Sequence, residues 1–452
     1  MEAVILIHGI TGSKLAQQRG SKLVEIWPPD RSDLGGYSPA KFSVLLDKPL
    51  KVTGIIDTAM DCYPVYAPIE ADLKDICTNH TKAEYDVFCY DWRQNIFNSM
   101  SELAAKLKAV GKKKSVTSIT LVCHSLGGLI ARLVLESNIY SAGPKNPWFA
   151  KINRVLFVCT PHMGAPVALS EFLGLETVDI VVSRKDVQLG AKTWESAYQL
   201  LPAPNYPGNP VILDDGTPED FYQYDVAVKL GLDPAKLDSI TKKTFSTLDF
   251  NNKPPAVQYS FIVGTSHQTD RGIDIDSYQT PPSFAPITNN LGDGTVPIFS
   301  ASYTGGTGVP TEMPGDHVGV MNTYAFQVAL YSYFGVSAGP PPLHLKKPTA
   351  VISLNKRVYG PGEKMSVLLI PDVETKRITT GLKVSRVTGL KGQLAPHGPE
   401  ERISYQGGPT KFIRMSLNAP NDVGGFRIDL EGEDSTHVTT ERTAGRFAVV
   451  KR

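Results

Sequence analysis

The chain has 452 residues, of which 41% are hydrophobic and 20% are charged, a balance typical of a globular protein with a buried core. Its formal net charge of +1 provides no long-range field for attracting nucleic acid, so no nucleic-acid partner is expected. No apolar run reaches the roughly 20 residues that span a bilayer, so we expect a soluble or at most peripheral protein.

The first residues and the cysteine count bear on the cellular compartment that we expect for the protein. The first apolar run is too short for a secretion signal and lacks a basic start, so a cytoplasmic location is the default, with leaderless export left open. The odd count of 5 cysteines favours free thiols in a reducing environment. Cys62 and Cys77 could pair if the protein met an oxidising one.

Short buried strands alternate with helices through the first third of the chain. Strands are predicted at 4–7, 85–90, 118–123 and 154–159, and helices at 99–110 and 126–135. This alternation predicts an α/β fold with a mostly parallel sheet and helices on both faces. A strand at 257–263 and a helix at 324–334 complete a predicted domain over 1–340.

Two long segments interrupt this alternation. Residues 13–72 are rich in proline, glycine and aspartate, and residues 165–255 are mixed in composition and contain scattered prolines. We predict that both are insertions forming a cap or lid over the carboxyl edge of the sheet.

The composition changes after residue 340. A proline-rich linker is predicted at 341–347. Alternating apolar runs then follow at 350–354, 365–370, 382–387, 412–417, 426–430 and 447–450. They predict an immunoglobulin-like β-sandwich over 348–452. It carries no catalytic constellation, and whether it binds a protein partner, a membrane or the first domain stays open.

Ser125 stands where the predicted strand 118–123 meets the helix 126–135. A serine on such a strained strand-to-helix turn is the nucleophile elbow of the α/β-hydrolase fold. The turn needs small residues two positions before and after the serine, where Cys123 and Gly127 stand. A turn without chemistry is the alternative, which the strand and helix on either side disfavour.

A serine nucleophile needs a base, and the base needs an orienting acid. Chain order in this fold is serine, acid, histidine, which selects Asp293 and then His317. The alternatives are an ordinary Asp-Gly turn and a surface histidine. His267 precedes Asp293 and so breaks the order.

Two backbone amides would hold the oxyanion of an acyl-transfer reaction. One is predicted to be that of Leu126, directly after the nucleophile. The other is that of Ile10, in the loop after the first strand, where Gly9 lets the backbone turn inward. This chemistry requires no metal and no organic cofactor. Asp91 and Arg93 are predicted to form a buried ion pair, and His162 to lie near the pocket.

Five segments together resemble the lecithin:cholesterol acyltransferase-like branch of lipases and phospholipases. They are YDWR at 90–93, HSLG at 124–127, TPHMGAP at 160–166, SAYQLLP at 196–202 and GDGTVP at 292–297. The resemblance covers roughly residues 1–334. It implies that Asp293 is the acid of the triad and that His317 is its base.

The motifs and the long insertions favour an enzyme that acts on acyl esters of lipids, phospholipids first, at a membrane or micelle surface. A lipid acyltransferase and an esterase for small soluble esters are alternatives with the same triad. A binding protein on a hydrolase scaffold is the non-enzymatic alternative.

Overall fold

The computed structural model of the chain describes residues 1–29, 33, 37–59, 63–175, 184–276, 279, 281–339, 343–344, 347–388 and 393–450. Cys62, most of the predicted linker and parts of both predicted insertions lie outside the described residues. The four described cysteines, Cys77, Cys89, Cys123 and Cys159, are free thiols.

Strands and helices alternate through residues 1–339, which we call the N-terminal unit. Its strands are β1 (Glu2–Ile7), β2 (Ser13–Arg19), β3 (Lys22–Trp27), β4 (Lys51–Ile55), β5 (Thr58–Ala59), β6 (Tyr63–Pro64), β7 (Glu84–Phe88), β8 (Ser118–His124), β9 (Ile152–Val158), β10 (Val211–Leu213), β11 (Gln258–Thr265), β12 (Thr269–Asp276), β13 (Ser283–Asn289) and β14 (Pro310–Pro314). Its helices are α1 (Pro39–Asp47), α2 (Ala67–Asp75), α3 (Ile96–Gly111), α4 (Leu126–Glu136), α5 (Val167–Phe172), α6 (Arg184–Thr193), α7 (Glu195–Tyr198), α8 (Tyr224–Lys229), α9 (Pro234–Lys236), α10 (Lys243–Thr247), α11 (Ile298–Ala301) and α12 (Tyr324–Tyr333).

A six-stranded parallel sheet in the order β14-β11-β9-β8-β1-β7 forms the centre of this unit. The chain leaves β1 toward β7 on one side and then returns to β8 on the other. Such a reversal opens a crevice at the carboxyl ends of the strands, which is where α/β sheets bind their ligands. The predicted fold class is confirmed, because the central sheet is parallel and helices pack on both of its faces.

Side chains of β1 alternate between two cores. Ala3, Ile5 and Ile7 join one buried cluster with residues of α3 and α4, while Val4 and Leu6 join a second cluster with residues of α2 and α12. Each fully buried aliphatic side chain contributes roughly 1.5–3 kcal/mol to stability. These cores fix the strand ends that carry the site.

The two segments predicted as insertions add structure beside the central sheet. The first contains the antiparallel sheet β3-β2-β4 and α1. The second contains α5 to α10 and β10, which pairs with β12 in the three-stranded sheet β10-β12-β13. The predicted limits of these insertions stay a prediction.

Residues 347–450, which we call the C-terminal unit, consist of strands. The strands after the N-terminal unit are β15 (Leu343–His344), β16 (Lys347–Pro348), β17 (Ala350–Leu354), β18 (Val358–Tyr359), β19 (Lys364–Pro371), β20 (Thr375–Thr388), β21 (Gln393–Pro396), β22 (Glu401–Thr410), β23 (Ile413–Asn418), β24 (Gly424–Glu431) and β25 (Gly445–Val449). One sheet has the order β17-β19-β23 and the other β18-β25-β24-β20-β21, with β22 also pairing with β20. Side chains from both sheets form one buried cluster, so the unit is a two-layered sandwich.

All six strands predicted in the C-terminal unit are present. Three strands of its two sheets, β18, β21 and β22, were not predicted. The first two are short, and most residues of β22 are exposed, so it lacks the apolar alternation of a half-buried strand. The predicted boundaries of the two domains and the linker stay a prediction.

Candidate active site

Ser125 occupies the sharp turn between β8 and α4. Its backbone has φ 54° and ψ −127°, in a region that L-residues rarely adopt. Such a conformation costs on the order of 1–3 kcal/mol and persists only where the surroundings enforce it. Here the Ser125 amide donates to the Val158 carbonyl at 2.9 Å, and the Ser125 carbonyl accepts from the Gly128 amide at 2.9 Å.

Two glycines let α4 approach the sheet closely. A Cβ on Gly127 would lie 2.5 Å from the carbonyl oxygen of His8 and 2.7 Å from that of Ile7. A Cβ on Gly128 would lie 2.1 Å from Oγ1 of Thr160. The sequence predicts a small residue at position 127, where Gly127 stands. The need for glycine at position 128 was missed, because only the packed strands reveal its contact with Thr160.

The three residues predicted as nucleophile, base and acid lie in one hydrogen-bonded row. Nε2 of His317 is 2.9 Å from Oγ of Ser125, and Nδ1 of His317 is 2.8 Å from Oδ2 of Asp293. Since the carboxylate can only accept, Nδ1 carries the proton and Nε2 is free to accept from the serine hydroxyl. This arrangement can take a proton from Ser125 and stabilise the imidazolium that results.

Asp293 is almost fully buried, and its remaining contacts are with backbone amides and a thiol. Its Oδ1 accepts from the amides of Thr295 at 2.9 Å and Val296 at 2.7 Å. The thiol of Cys159 lies beside this carboxylate. Burial, followed by the negative charge of Asp293, raises the pKa of Cys159 well above its usual range. Cys159 therefore stays a neutral thiol.

The loop after β1 faces Ser125. A Cβ on Gly9 would lie 2.7 Å from Cβ and 3.2 Å from Oγ of Ser125, so the backbone passes directly beside the Ser125 side chain. Ile10 and Ser125 line the same cavity, and Leu126 begins α4. Within the part of the chain that the structure describes, the amides of Ile10 and Leu126 donate no hydrogen bond to a protein group.

A buried chain of hydrogen bonds joins this loop to the loop of His317. The Gly9 amide donates to Oη of Tyr66 at 2.8 Å, and Tyr66 lies 2.7 Å from Nδ1 of His124. Nε2 of His124 donates to the carbonyl of His317 at 2.9 Å, so Nδ1 must accept from the tyrosine hydroxyl. Burial lowers the pKa of His124 to about 3, which keeps its ring neutral and the direction of these bonds fixed.

A cavity of about 460 Å³ opens next to Ser125. Three tryptophans line it: Trp27, Trp92 and Trp194. The ring of Trp92 makes edge contacts with both others, at centroid distances of 5.3 Å and 5.0 Å. Trp27 comes from the first predicted insertion and Trp194 from the second, so both segments contribute to this wall.

Two further sequence expectations can be placed. Asp91 and Arg93 form the predicted buried ion pair, with Oδ2 and Nη2 2.7 Å apart. His162 is buried against Phe157, Phe250 and Phe261 and does not line the cavity. The neighbouring Pro161 does line it.

Residues 81–229 match the family model described as lecithin:cholesterol acyltransferase. A curated relative, lecithin-cholesterol acyltransferase-like 4 of Arabidopsis thaliana, is 24% identical over 309 residues, which is 56% of this chain and 56% of the relative. The chain therefore spans about half the length of that relative. Over these residues the chain is similar to the lecithin:cholesterol acyltransferase family.

A solved structure supports the fold of this chain. The crystal structure titled as the Tle4-Tli4 complex aligns with 74% of this chain and 98% of its own chain, with a TM-score of 0.53 and 15% sequence identity. At that identity the likeness concerns the fold alone.

The structure brings two further residues to the candidate site that sequence reasoning missed. Tyr66 lies in a segment read as an insertion, and His124 was noted only as part of a motif. A buried polar side chain directly before Ser125 was the available signal, since such groups need partners.

None of the described helices is long and apolar enough to cross a membrane.

Proposed function

We propose that this chain is a serine hydrolase that cleaves acyl esters of lipids through an acyl-enzyme on Ser125. The row from Ser125 through His317 to Asp293, with heavy-atom distances of 2.9 Å and 2.8 Å, carries this proposal. His317 takes the proton of Ser125, whose Oγ attacks the ester carbonyl and forms a tetrahedral oxyanion. Asp293 keeps the imidazole in the required tautomer and stabilises its charged form.

The oxyanion is received by the amides of Ile10 and Leu126. Both amides are without a protein acceptor among the described residues, and Leu126 stands at the amino end of α4, where the helix favours negative charge. Collapse of the intermediate expels the alcohol, which takes the proton from His317. Water then attacks the acyl-enzyme with His317 as base, and the fatty acid leaves.

The cavity supports a lipid substrate. Its volume of about 460 Å³ lies within the range of roughly 300–1,000 Å³ common for small-molecule sites. The tryptophan wall provides a large apolar surface for an acyl chain. Lys356 and Arg357 of the C-terminal unit also line the cavity, and their positive charge suits the phosphate of a phospholipid head group.

Two reactions other than phospholipid hydrolysis use the same groups. An acceptor alcohol in place of water would make the protein a lipid acyltransferase. A small soluble ester would also react, although the apolar wall would then have no acyl chain to contact. A membrane or micelle surface as the site of action, and a protein partner of the C-terminal unit, stay predictions.

The test is mass spectrometry of the products formed from a defined panel of substrates. The panel holds phospholipids with distinct acyl chains, a triglyceride, a short soluble ester and a sterol acceptor, each with wild type and with Ser125→Ala. Serine-dependent release of fatty acid from phospholipid is the expected result. Transfer to the sterol would favour the acyltransferase.

Turnover of the short ester alone would favour the small-ester esterase. Absence of any serine-dependent product would contradict the hydrolase. It would favour the alternative of a binding protein on a hydrolase scaffold. The folded state of Ser125→Ala is checked by its far-UV circular dichroism and its unfolding midpoint.

A further inference from the structure

A strand of the C-terminal unit contacts the loop that carries His317. Ser353 lies on β17, and its side chain is buried with 1% of the residue exposed. Its Oγ donates to Oδ2 of Asp316 at 2.5 Å and accepts from the Asp316 amide at 3.0 Å. The same Oγ lies 2.9 Å from Nε2 of His267. These three bonds all join Ser353 to the N-terminal unit.

The hydroxyl of Ser353 is saturated by these contacts. A serine hydroxyl offers one donor and two acceptor lone pairs. The proton goes to the Asp316 carboxylate, so the bond with His267 must be donated by Nε2–H of the imidazole. Nδ1 of His267 is then the acceptor nitrogen, and it has no hydrogen-bond partner among the described residues. Burial lowers the pKa of His267, which keeps the ring in this neutral form.

Asp316 connects Ser353 to the backbone around His317. Its second oxygen, Oδ1, accepts from the amides of Gly319 at 2.8 Å and Val318 at 3.3 Å. Asp316 therefore binds Ser353 with one oxygen and closes the turn around His317 with the other. The His317 amide itself donates to the carbonyl of Asp293 at 2.8 Å.

His267 extends the same network to the loop of the acid. Its amide donates to the carbonyl of Gly292, the residue before Asp293, at 2.9 Å. A Cβ on Gly294 would lie 3.2 Å from the carbonyl oxygen of Asn355, so the C-terminal unit also packs against the residue after Asp293. One hydroxyl of the C-terminal unit thus connects the loops that carry the base and the acid.

The same strand end forms part of the cavity wall. Leu354, Asn355, Lys356 and Arg357, which follow Ser353, line the cavity together with Ser125 and His317. The cavity is therefore lined by both units, and the C-terminal unit contributes to it through the end of β17 and the residues that follow.

We propose that Ser353 is a positioning residue and that the C-terminal unit completes the active site. Its hydroxyl holds Asp316 so that the His317 imidazole faces Ser125 at the distance that proton transfer needs. The inference rests on the proposed serine hydrolase. It adds that acylation depends on a unit that supplies no reacting group, since a displacement of about 1 Å can cost on the order of 100-fold in rate.

The test compares full-length wild type with Ser353→Ala and Ser353→Thr. Each protein reacts with a fluorophosphonate probe, and the time course gives a rate constant and the fraction of sites labelled. Thr380→Val is the matched control, because Thr380 is another buried hydroxyl of the C-terminal unit, bonded to Ser435 and to the carbonyl of His437.

For Ser353→Ala we expect the rate constant to fall roughly 10- to 100-fold while the labelled fraction stays near that of wild type. Ser353→Thr keeps the hydroxyl and should restore most of the rate, and Thr380→Val should label at the wild-type rate. A structural role alone would lower the labelled fraction and leave the rate constant of the remaining sites unchanged. That result, or an unchanged rate constant with a full labelled fraction, would overturn the proposal.

Amide hydrogen exchange on the same proteins provides a readout that needs no activity. Ser353→Ala should increase exchange in the peptide carrying residues 313–322 more than in the other peptides, and Thr380→Val should not. If wild type does not label at Ser125, the proposed function fails, and exchange at 313–322 still decides whether Ser353 holds this loop. Unchanged exchange there would overturn the proposal.

Discussion

Asp293 is held in place by its own loop, with one carboxylate oxygen facing the ring of His317. Two backbone amides bind its Oδ1, and its Oδ2 faces Nδ1 of His317 at 2.8 Å. A carboxylate in this position both selects the tautomer of the imidazole and stabilises the imidazolium formed on attack. We therefore expect Asp293 to act in the chemical step and to contribute little to substrate binding.

Replacing the charge tests this assignment. Asp293→Asn should lower kcat on the order of 10³- to 10⁴-fold with little change in KM, because an amide cannot stabilise the imidazolium. Asp238→Asn is the control, at a surface carboxylate whose side chain is 68% exposed. Steady-state kinetics on a soluble ester measure both variants. A kcat for Asp293→Asn close to that of wild type would contradict the role.

Buried neutral histidines make stability depend on pH. Burial lowers the pKa of His124 to about 3 and that of His8 to about 4. In the unfolded chain a histidine takes up a proton below about pH 6.5, so the unfolded state binds more protons than the folded state between about pH 6.5 and pH 4. The free energy of unfolding should therefore fall as the pH is lowered, by up to about 1.4 kcal/mol per pH unit for each histidine.

Asp372 acts in the opposite direction, because burial raises its pKa to about 6. Below that value the folded state holds a proton that the unfolded state releases, so this one group partly offsets the two histidines. Urea unfolding at about pH 7.5 and about pH 5 should still show a lower midpoint at the lower pH. An equal or higher midpoint at about pH 5 would contradict this expectation.

At the scale of elements, the elbow depends on close contact between α4 and the end of β1. The helix approaches so closely that a Cβ on Gly127 would overlap the carbonyl oxygens of His8 and Ile7, at 2.5 Å and 2.7 Å. These oxygens belong to the backbone, which cannot move aside for a Cβ as a flexible side chain would. The glycine thus serves packing between two elements as well as the turn itself.

Gly127→Ala should lower the free energy of unfolding by about 1–3 kcal/mol, the usual cost of overpacking, and reduce labelling of Ser125 by a fluorophosphonate. Gly143→Ala is the control, because a Cβ there would meet nothing within 4 Å. Chemical unfolding and the labelling rate measure both variants. Wild-type stability in Gly127→Ala would mean that the contact between helix and strand is looser than described.

The central elements could be predicted from the sequence because each has a recognisable local pattern of apolar residues. The strand β8 and helix α4 are apolar runs, and Leu103, Leu107 and Val110 recur at helical spacing in α3. The pairing of Tyr66 with His124 could not be predicted. Those residues are separated by 58 positions, and nothing in either local pattern specifies the contact.

Contacts between the N-terminal and C-terminal units could not be predicted from local patterns either. Chain order selected Ser125, Asp293 and His317, which the structure brings together, whereas Ser353 gave no signal in a strand pattern of ordinary sandwich type. Its role depends on where β17 lies against the loop of His317, which only the folded chain defines.

At the scale of the whole molecule, charged side chains join the two units away from the site. Nη2 of Arg442, in the C-terminal unit, lies 2.7 Å from Oδ2 of Asp72 in α2, and it also donates to the Met321 carbonyl at 2.9 Å. The Asp72 side chain is 6% exposed, while that of Arg442 is 28% exposed. Removing the arginine would leave a largely buried carboxylate whose Oδ1 still accepts from Nε2 of Gln327, in α12, at 3.0 Å.

Arg442→Met should therefore lower the free energy of unfolding by about 1–3 kcal/mol, because an unpaired buried charge is costly even when partly solvated. Arg402→Met is the control, since Arg402 and Asp434 form an ion pair whose side chains are 70% and 84% exposed. Exposed pairs of this kind contribute about 0–1 kcal/mol. Chemical unfolding measures both variants. Equal free energies of unfolding would contradict a stabilising contact between the two units at Asp72.

The central claim is that Ser125 carries the acyl group during turnover. The most direct measurement is acid quenching of the protein during reaction with a lipid ester, followed by peptide mass spectrometry of residues 118–136. The account predicts an acyl group on Ser125 that is absent from Ser125→Ala. Acyl product formed by Ser125→Ala at the wild-type rate, or an acyl group found on a different residue, would contradict it.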